Sequence, residues 1–177
     1  MATLVLTVIG DDRSGLVEAL ARVVAEHGGN WNRSSMARLG TKFAGIVEVG
    51  VPADRVDELV DGLAPVREHD GLEVSVERVD EDPSAAPAAD GERRQWELHL
   101  VGQDRPGIVH EIAHALADHG VGIEQLETFS TSAPMSAEVL FEANALLVGT
   151  VDTDVDALRS ALEALANELM VDVEFTV

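Results

Sequence analysis

The chain has 177 residues, of which 46% are hydrophobic, so it can bury a core and is not expected to be disordered. Its 33 acidic and 12 basic residues give a formal net charge of -21, which argues against binding to nucleic acid or to anionic membranes. The sequence contains no cysteine, which excludes disulfides, thiolate metal sites and a cysteine nucleophile.

The first residues, MATLVLTVIGDD, are apolar, but they lack a basic segment and run directly into Asp11 and Asp12. This pattern predicts a strand and not a secretory signal peptide. No stretch approaches the ~20 consecutive apolar residues that a membrane-spanning helix needs. We therefore expect a cytoplasmic protein.

The first half of the chain alternates between short β-rich runs and amphipathic stretches. The predicted elements are a strand (residues 4–9), a helix (15–27), two strands (31–39 and 42–51), a helix with apolar residues between 56 and 63, and a strand (72–77). The first helix ends at Gly28, a common C-terminal signal, and the two middle strands form a hairpin that turns at Gly40. The last strand alternates apolar and polar side chains, which indicates one buried face.

The second half of the chain repeats this order at a shift of 92 positions. The shift places Gly10 on Gly102, Asp12 on Asp104, Arg13 on Arg105 and Gly15 on Gly107. The predicted elements are a strand (96–101), a helix (107–119), two strands (123–131 and 138–148) joined by a loop through Pro134, a helix with leucines between 158 and 169, and a strand (171–176). Two copies are too few for a solenoid and indicate a duplicated domain.

The order β-α-β-β-α-β, found twice, predicts two ferredoxin-like domains of the α+β class, each an antiparallel sheet with helices on one face. We expect these domains to span residues 1–79 and 95–177. Residues 80–94 are rich in Pro, Ala, Ser and charge without apolar periodicity, which predicts a linker. Joining the two sheets edge to edge would hide strand edges that otherwise favour aggregation.

A charged loop with a glycine at each end precedes the first helix of each copy, GDDRSG from Gly10 and GQDRPG from Gly102. Pro106 suits a first helical position, and Asp12 and Asp104 can accept hydrogen bonds from backbone N–H groups of the first turn. One interpretation is a turn with a helix cap. The other is a small-ligand site, because a helix N-terminus suits a carboxylate and an aspartate suits an ammonium, the two groups of an amino acid. The loops match neither a dinucleotide-binding nor a P-loop motif.

The succession of a strand, D-R-[SP]-G, an amphipathic helix, H-G-G-N-W and a strand ending A-R-L-G-T-K-F resembles an ACT domain. The tandem pair resembles the glycine cleavage system transcriptional repressor family, and the similarity is strongest over residues 10–51 and 102–123. Similar pairs also precede the catalytic domain of formyltetrahydrofolate deformylases, and we expect no such domain here.

The resemblance implies a regulatory protein that binds an amino acid between paired domains and acts through a protein partner. It also implies an asparagine after the first helix, which is Asn30 in copy one, whereas copy two has Gly122 with Glu124 nearby. That departure leaves open whether copy two binds a ligand. The implied ligand-binding residues are Asp11, Asp12, Arg13, Ser14, Gly15, Leu16, Asn30, Gln103, Asp104, Arg105, Pro106, Gly107 and Ile108.

Histidines on the first helix of each copy have two interpretations. His110 and His114 lie four residues apart beside Glu111, a spacing that can hold a metal ion. They lie off the apolar stripe, however, which favours a solvated face, and we expect no metal site. His27 and His119 lie at helix ends, where we expect them to cap the helix.

Other polar side chains have plain structural interpretations. Arg13 and Arg105 can hold a ligand carboxylate in a fork, or they can bridge to a surface acid. Ser34 and Ser35 have no identifiable base partner, so neither is expected to be a nucleophile. Residues expected to be structural are the core tryptophans Trp31 and Trp96 and the helix-flanking aspartates Asp54, Asp57, Asp61, Asp152, Asp154 and Asp156.

The sequence thus favours a non-enzymatic regulator without a cofactor that senses an amino acid, with glycine or serine as first candidates. A ligand would shift the association of the two domains only through its difference in affinity for two states, and a protein such as a transcription factor would respond. A homodimer is compatible with this hypothesis. The alternative is a ligand-free interaction module that regulates an enzyme or a transcription factor.

Overall fold

The computed structural model describes residues 1–79, 93–132 and 139–176. The chain divides into two compact units, Met1–Ala86 (unit 1) and Pro87–Val177 (unit 2). The predicted linker, residues 80–94, lies outside the described residues except for Arg93 and Arg94, which begin a strand. The predicted domain boundaries therefore stay a prediction.

Unit 1 is a four-stranded antiparallel sheet in the strand order β2-β3-β1-β4. Its elements are β1 (Ala2–Asp11), α1 (Leu16–Glu26), β2 (Asn30–Leu39), β3 (Lys42–Val51), a 3-10 turn (Ala53–Arg55), α2 (Val56–Gly62), α3 (Ala64–Asp70) and β4 (Leu72–Val79). The predicted order of elements and the hairpin turn at Gly40 are confirmed, and the strands extend a few residues beyond the predicted limits.

The second helix of unit 1 is divided into α2 and α3, a break that the apolar pattern does not reveal. Pro65 lies at the start of α3 and has no backbone N–H, so it cannot donate to the carbonyl group of Asp61 four residues earlier. Hydrogen bonding continues on the N-terminal side of the proline, where the N–H of Leu63 donates to the oxygen of Leu59 at 3.1 Å. The proline therefore interrupts the helix.

Unit 2 repeats the same topology in the strand order β6-β7-β5-β8, again with antiparallel pairs. Its elements are β5 (Arg93–Gln103), α4 (Ile108–Asp118), β6 (Gly122–Ser132), β7 (Val139–Thr150), α5 (Val155–Leu169) and β8 (Val171–Thr176). The predicted loop through Pro134 lies outside the described residues. The carboxylate of Asp154 accepts from the N–H of Ala157 at 2.9 Å, which confirms that aspartate as the N-cap of α5.

The core of each unit lies between one face of its sheet and the helices. Buried side chains alternate along the central strands: Leu4, Leu6 and Val8 in β1, and Trp96, Leu98 and Leu100 in β5. The apolar residues of α1 and α4 that face the sheet are buried, and Trp31 is partly buried against the core of unit 1. Each unit is therefore a ferredoxin-like α+β domain. None of the described helices is long and apolar enough to cross a membrane.

The repeated glycines Gly10 and Gly102 lie where two strands approach too closely for a side chain. A Cβ on Gly10 would lie 2.8 Å from the carbonyl oxygen of Gly71, just before β4. A Cβ on Gly102 would lie 2.8 Å from the Cβ of Val171, the first residue of β8. One part of the repeated motif is thus explained by strand contacts and not by a ligand.

We predict that Gly102→Ala lowers the free energy of unfolding by about 1–3 kcal/mol, because β5 or β8 must shift to admit the methyl group. Chemical unfolding followed by circular dichroism measures this change. Gly122→Ala is the matched control, since its Cβ would meet nothing closer than 3.5 Å, and its effect should stay within about 1 kcal/mol. Equal effects of the two substitutions would contradict the steric explanation.

Candidate functional site

The loops that follow the central strands are held in place by their backbones. We call residues 11–15 the first loop and residues 103–107 the second loop. The N–H of Asp12 donates to the oxygen of Thr41 at 2.9 Å, and the N–H of Asp104 donates to the oxygen of Val139 at 2.9 Å. Each loop is therefore anchored at the start of the third strand of its unit, and the two loops share one backbone frame.

Each loop ends in a left-handed glycine at the N-terminus of the helix. Gly15 has φ 96° and Gly107 has φ 97°, values that L side chains rarely adopt. These glycines are the N-cap residues, so the predicted capping by Asp12 and Asp104 is wrong. Pro106 precedes the N-cap and does not occupy the predicted first helical position. The first-turn N–H groups therefore have no side-chain cap among the described residues, and they carry the positive end of the helix dipole.

Two carboxylates of the first loop are paired with basic side chains of the neighbouring hairpin. Asp11 Oδ1 lies 2.6 Å from Lys42 Nζ, across the β1–β3 pair. The hydrogen bond from Lys42, and then its charge, lower the pKa of Asp11 below its ordinary value of 3.8. Asp12 Oδ2 lies 3.6 Å from Arg38 Nε, near the end of β2.

The arginine of the first loop is also paired. Arg13 Nη2 lies 2.8 Å from Asp70 Oδ1 and donates to the carbonyl oxygen of His69 at 3.0 Å. Of the two interpretations of Arg13, the bridge to an acid is thus the one observed. Every charged side chain of the first loop already has a partner of opposite charge.

The second loop has the same backbone but different side-chain partners. Asp104 accepts only a hydrogen bond from the Ser130 hydroxyl, at 3.4 Å, among the described residues. Arg105 Nη2 lies 3.7 Å from Glu111, and its Nε is buried without a hydrogen-bond partner in the described part of the chain. Gln103 is exposed and pairs with Leu140 in the sheet, so no counterpart of the Asp11 ion pair exists at this position. The second loop therefore leaves an anionic and a cationic group incompletely paired.

The remaining predicted site residues of the loops differ in how far their side chains are exposed. Leu16 and Ile108 are 3% and 2% exposed and belong to the two cores, so only their backbones can reach a ligand. Ser14 and Pro106 are exposed in the turns before α1 and α4.

Asn30 lies at the other end of the sheet from the first loop. It opens β2 and faces Gly50 in the β2–β3 pair, whereas the loop lies beside the far end of that hairpin. Asn30 and Leu39 are the first and last residues of β2, nine residue steps apart, which corresponds to roughly 30 Å. Asn30 Nδ2 donates instead to Asn32 Oδ1 at 2.7 Å. The structure therefore does not bring Asn30 and the first loop of its own unit together.

His27 and His119, the two histidines at helix ends, both bond to a backbone carbonyl of their own helix. A ring nitrogen, Nδ1, of His27 lies 2.7 Å from the oxygen of Val23, and that of His119 lies 2.8 Å from the oxygen of Ala115. Both rings thus bond the carbonyl four residues earlier, which confirms their capping role.

No group of three or more candidate metal ligands occurs among residues 1–79, 93–132 and 139–176.

His110 and His114 form a stacked pair on α4. Their ring centroids are 6.2 Å apart, and the ring planes differ by 3°. Both side chains are exposed, as expected from their position off the apolar stripe. His114 also approaches Asp118 at 3.7 Å.

Sequence reasoning missed the partners of the loops. Lys42, Arg38 and Asp70 pair with the first loop, and Ser130 and Glu111 pair with the second. The register of the predicted hairpin could have suggested Lys42, the single lysine of the chain, as the residue opposite Asp11. Glu111 lies six residues after Arg105, in the first turn of α4, whereas Arg38, Asp70 and Ser130 are brought to the loops by the folding of each unit.

Comparison with known proteins identifies the family that this fold matches. The ACT domain family matches residues 2–77 and 98–176. An unknown protein from Galdieria sulphuraria has a crystal structure with a TM-score of 0.81 at 26% identity, covering 99% of this chain and 97% of that chain. A candidate glycine cleavage system transcriptional repressor gives a TM-score of 0.68 at 17% identity, covering 99% of this chain and 96% of that chain. No protein among the curated sequences compared with this chain matches it.

We predict that Lys42→Met raises the pKa of Asp11 toward 3.8, because the substitution removes both the hydrogen bond and the positive charge. Since the folded-state pKa is lowered, the pair stabilises the fold above about pH 4 and this contribution is lost as the pH falls through the folded-state pKa. An NMR titration of the Asp11 carboxyl carbon measures the pKa. Lys42→Arg, which keeps the charge, should leave it low, and an unchanged pKa in Lys42→Met would rule out this cause.

Proposed function

This chain belongs to the ACT domain family, and from that premise we propose that it is a non-enzymatic regulatory protein that binds a free amino acid. Glycine and serine are the first ligands to test, and the loops offer groups for the α-ammonium and the α-carboxylate of an amino acid. We propose further that a protein partner, such as a transcription factor, responds to the bound state in the cytoplasm.

The observation that supports ligand binding is the contrast between the two loops. In the first loop, Asp12 and Arg13 already hold Arg38 and Asp70. A ligand there would have to displace ion pairs before it could bind. In the second loop, Asp104 holds only a hydroxyl group among the described residues, so its carboxylate can accept an ammonium group without displacing a cation from any of them.

The carboxylate of the ligand also has candidate partners at the second loop. The first-turn N–H groups of α4 follow Gly107, without a side-chain cap in the described part of the chain. Arg105 carries a buried Nε that lacks a hydrogen-bond partner among the described residues, and a buried unpaired donor costs about 1–3 kcal/mol. Because this Nε is buried, a ligand carboxylate would reach it only if the Arg105 side chain moved. We therefore propose the second loop as the stronger of the two sites, with Asp104, Arg105 and Gly107 as its main contacts.

The proposal of a protein partner is supported by charge. A net charge of -21 repels the phosphate backbone, so regulation of transcription by this chain would act through another protein and not through direct contact with DNA. The candidate repressor with the same fold is the basis for naming a transcription factor as the first partner to test. The ligand would act by stabilising whichever conformation it binds more tightly.

A second candidate function is a ligand-free interaction module. The ion pairs that neutralise the first loop favour this ligand-free function. A loop whose charged side chains are all paired within the chain serves to hold helix and strand together. In that case neither loop binds an amino acid, and the two units present fixed surfaces to an enzyme or a regulator. Binding of a ligand separates the two functions.

We predict that one free amino acid raises the melting temperature of the protein, because a ligand at about 100 times its Kd stabilises the folded state by about 2.7 kcal/mol. A thermal-melt screen against the free amino acids measures this shift. Asp104→Asn should abolish it, since the amide is neutral and attracts an ammonium group less strongly. Asp12→Asn, the matched substitution in the first loop, should leave it intact.

Each outcome of this screen is informative. Loss of the shift in Asp12→Asn and not in Asp104→Asn would move the site to the first loop while keeping the sensor function. No shift with any amino acid at millimolar concentration would overturn the sensor function and favour the ligand-free module.

A further inference from the structure

The residue that anchors the second loop is apolar, whereas the one that anchors the first loop is polar. The backbone carbonyl that accepts from the N–H of Asp12 belongs to Thr41, and the one that accepts from the N–H of Asp104 belongs to Val139. The side chain of Val139 is 43% exposed. At this contact unit 2 therefore presents an aliphatic side chain to solvent where unit 1 has a hydroxyl group.

The turn before the last strand differs between the units in the same direction. The last strand of each unit begins opposite the glycine that precedes the loop, so the turns before β4 and β8 occupy equivalent places. Asp70 in the turn of unit 1 thus corresponds to Leu169, which is buried in the core of unit 2. Gly71 corresponds to Met170. The exchange at Asp70 removes from unit 2 the carboxylate that pairs with the loop arginine, Arg13, in unit 1.

Met170 has a backbone conformation that favours glycine. Its φ is 53°, and it is the only residue other than glycine with a positive φ in the described part of the chain. Its side chain is 77% exposed, so packing in the core does not account for a methionine at this position. Residues held in such conformations cluster at ligand-binding sites, where the side chain has a use that offsets the strain.

Both apolar side chains border the loop that carries the proposed ligand contacts. Val139 is hydrogen-bonded to Asp104, and Met170 comes directly before Val171, which is opposite Gly102 at the start of the second loop. Glycine has no side chain and that of serine is polar, so neither would make use of this apolar surface. A larger apolar side chain would remove the surface from water and would gain hydrophobic free energy.

We propose that the amino acid bound at the second loop has an aliphatic side chain, which packs against Met170 and Val139. This inference rests on the function proposed above and replaces glycine and serine, as the preferred ligands, with larger apolar amino acids. The α-ammonium group contacts Asp104, and the side chain covers the exposed surface of the two apolar residues. Methionine suits this position because its unbranched, polarisable side chain adapts to irregular apolar partners.

Isothermal titration calorimetry of the full chain with leucine and with glycine tests the proposal. Leucine should bind with a Kd about tenfold below that of glycine, because only leucine buries apolar surface. Met170→Gly, which introduces the residue of unit 1, should raise the Kd for leucine about fivefold and leave the Kd for glycine unchanged. The same substitution should raise the melting temperature of the ligand-free protein, since glycine adopts this backbone conformation without strain.

A second variant and a matched control accompany this measurement. Val139→Thr, which introduces the residue at the equivalent place in unit 1, should also weaken binding of leucine and leave binding of glycine unchanged. Val79→Thr makes the same chemical change at a valine of β4 that is 42% exposed and belongs to neither loop. This control should change neither Kd.

The outcomes separate the aliphatic ligand from the sensor function on which it rests. Equal Kd values of leucine and glycine for the wild-type protein would overturn the aliphatic ligand and leave the amino-acid sensor in place. An unchanged Kd for leucine in both Met170→Gly and Val139→Thr would likewise overturn the proposed contacts. Absence of binding by any amino acid would overturn the sensor function and this inference together.

Discussion

The pairing of each central strand with neighbours on both sides is the constraint on which the rest of the structure depends. β1 is hydrogen-bonded to β3 and to β4, and β5 is bonded in the same way to β7 and β8. The end of a central strand is thereby fixed between the start of one neighbour and the start of the other. Gly10 and Gly102 allow this close approach, and the loops that follow emerge at one defined place in each unit.

Duplication has preserved this backbone frame while its electrostatics have diverged. Both loops donate a backbone N–H to the same part of the sheet and end in a left-handed glycine. Their side chains differ because Ser130 stands where the first copy has Arg38. A serine hydroxyl group satisfies part of a carboxylate but does not neutralise its charge. Among the described residues, the same scaffold therefore carries fully paired loop charges in unit 1 and incompletely paired loop charges in unit 2.

The same divergence extends to the outer strands. In unit 1 a tryptophan and a methionine complete the core, whereas smaller residues in unit 2 leave a cavity and exposed apolar side chains at β6. Interiors are close-packed, so missing volume at an edge is either filled by a partner or remains as a loss of dispersion contacts. In unit 1 the loop charges are paired and the side chains of β2 pack against the core. In unit 2 the corresponding loop charges are incompletely paired and the side chains of β6 leave apolar surface exposed.

The sequence by itself determined the order of elements, the buried faces and the turn at Gly40, because these depend on local periodicity and on turn residues. It did not reveal the helix break at Pro65 from apolar pattern alone. Only the tertiary structure decided what the loops contact. Arg13 contacts Asp70 because β1 lies beside β4. Asn30 is far from the first loop because β2 begins at the opposite end of the sheet. Such contacts join residues that are distant in the chain, and no local pattern encodes them.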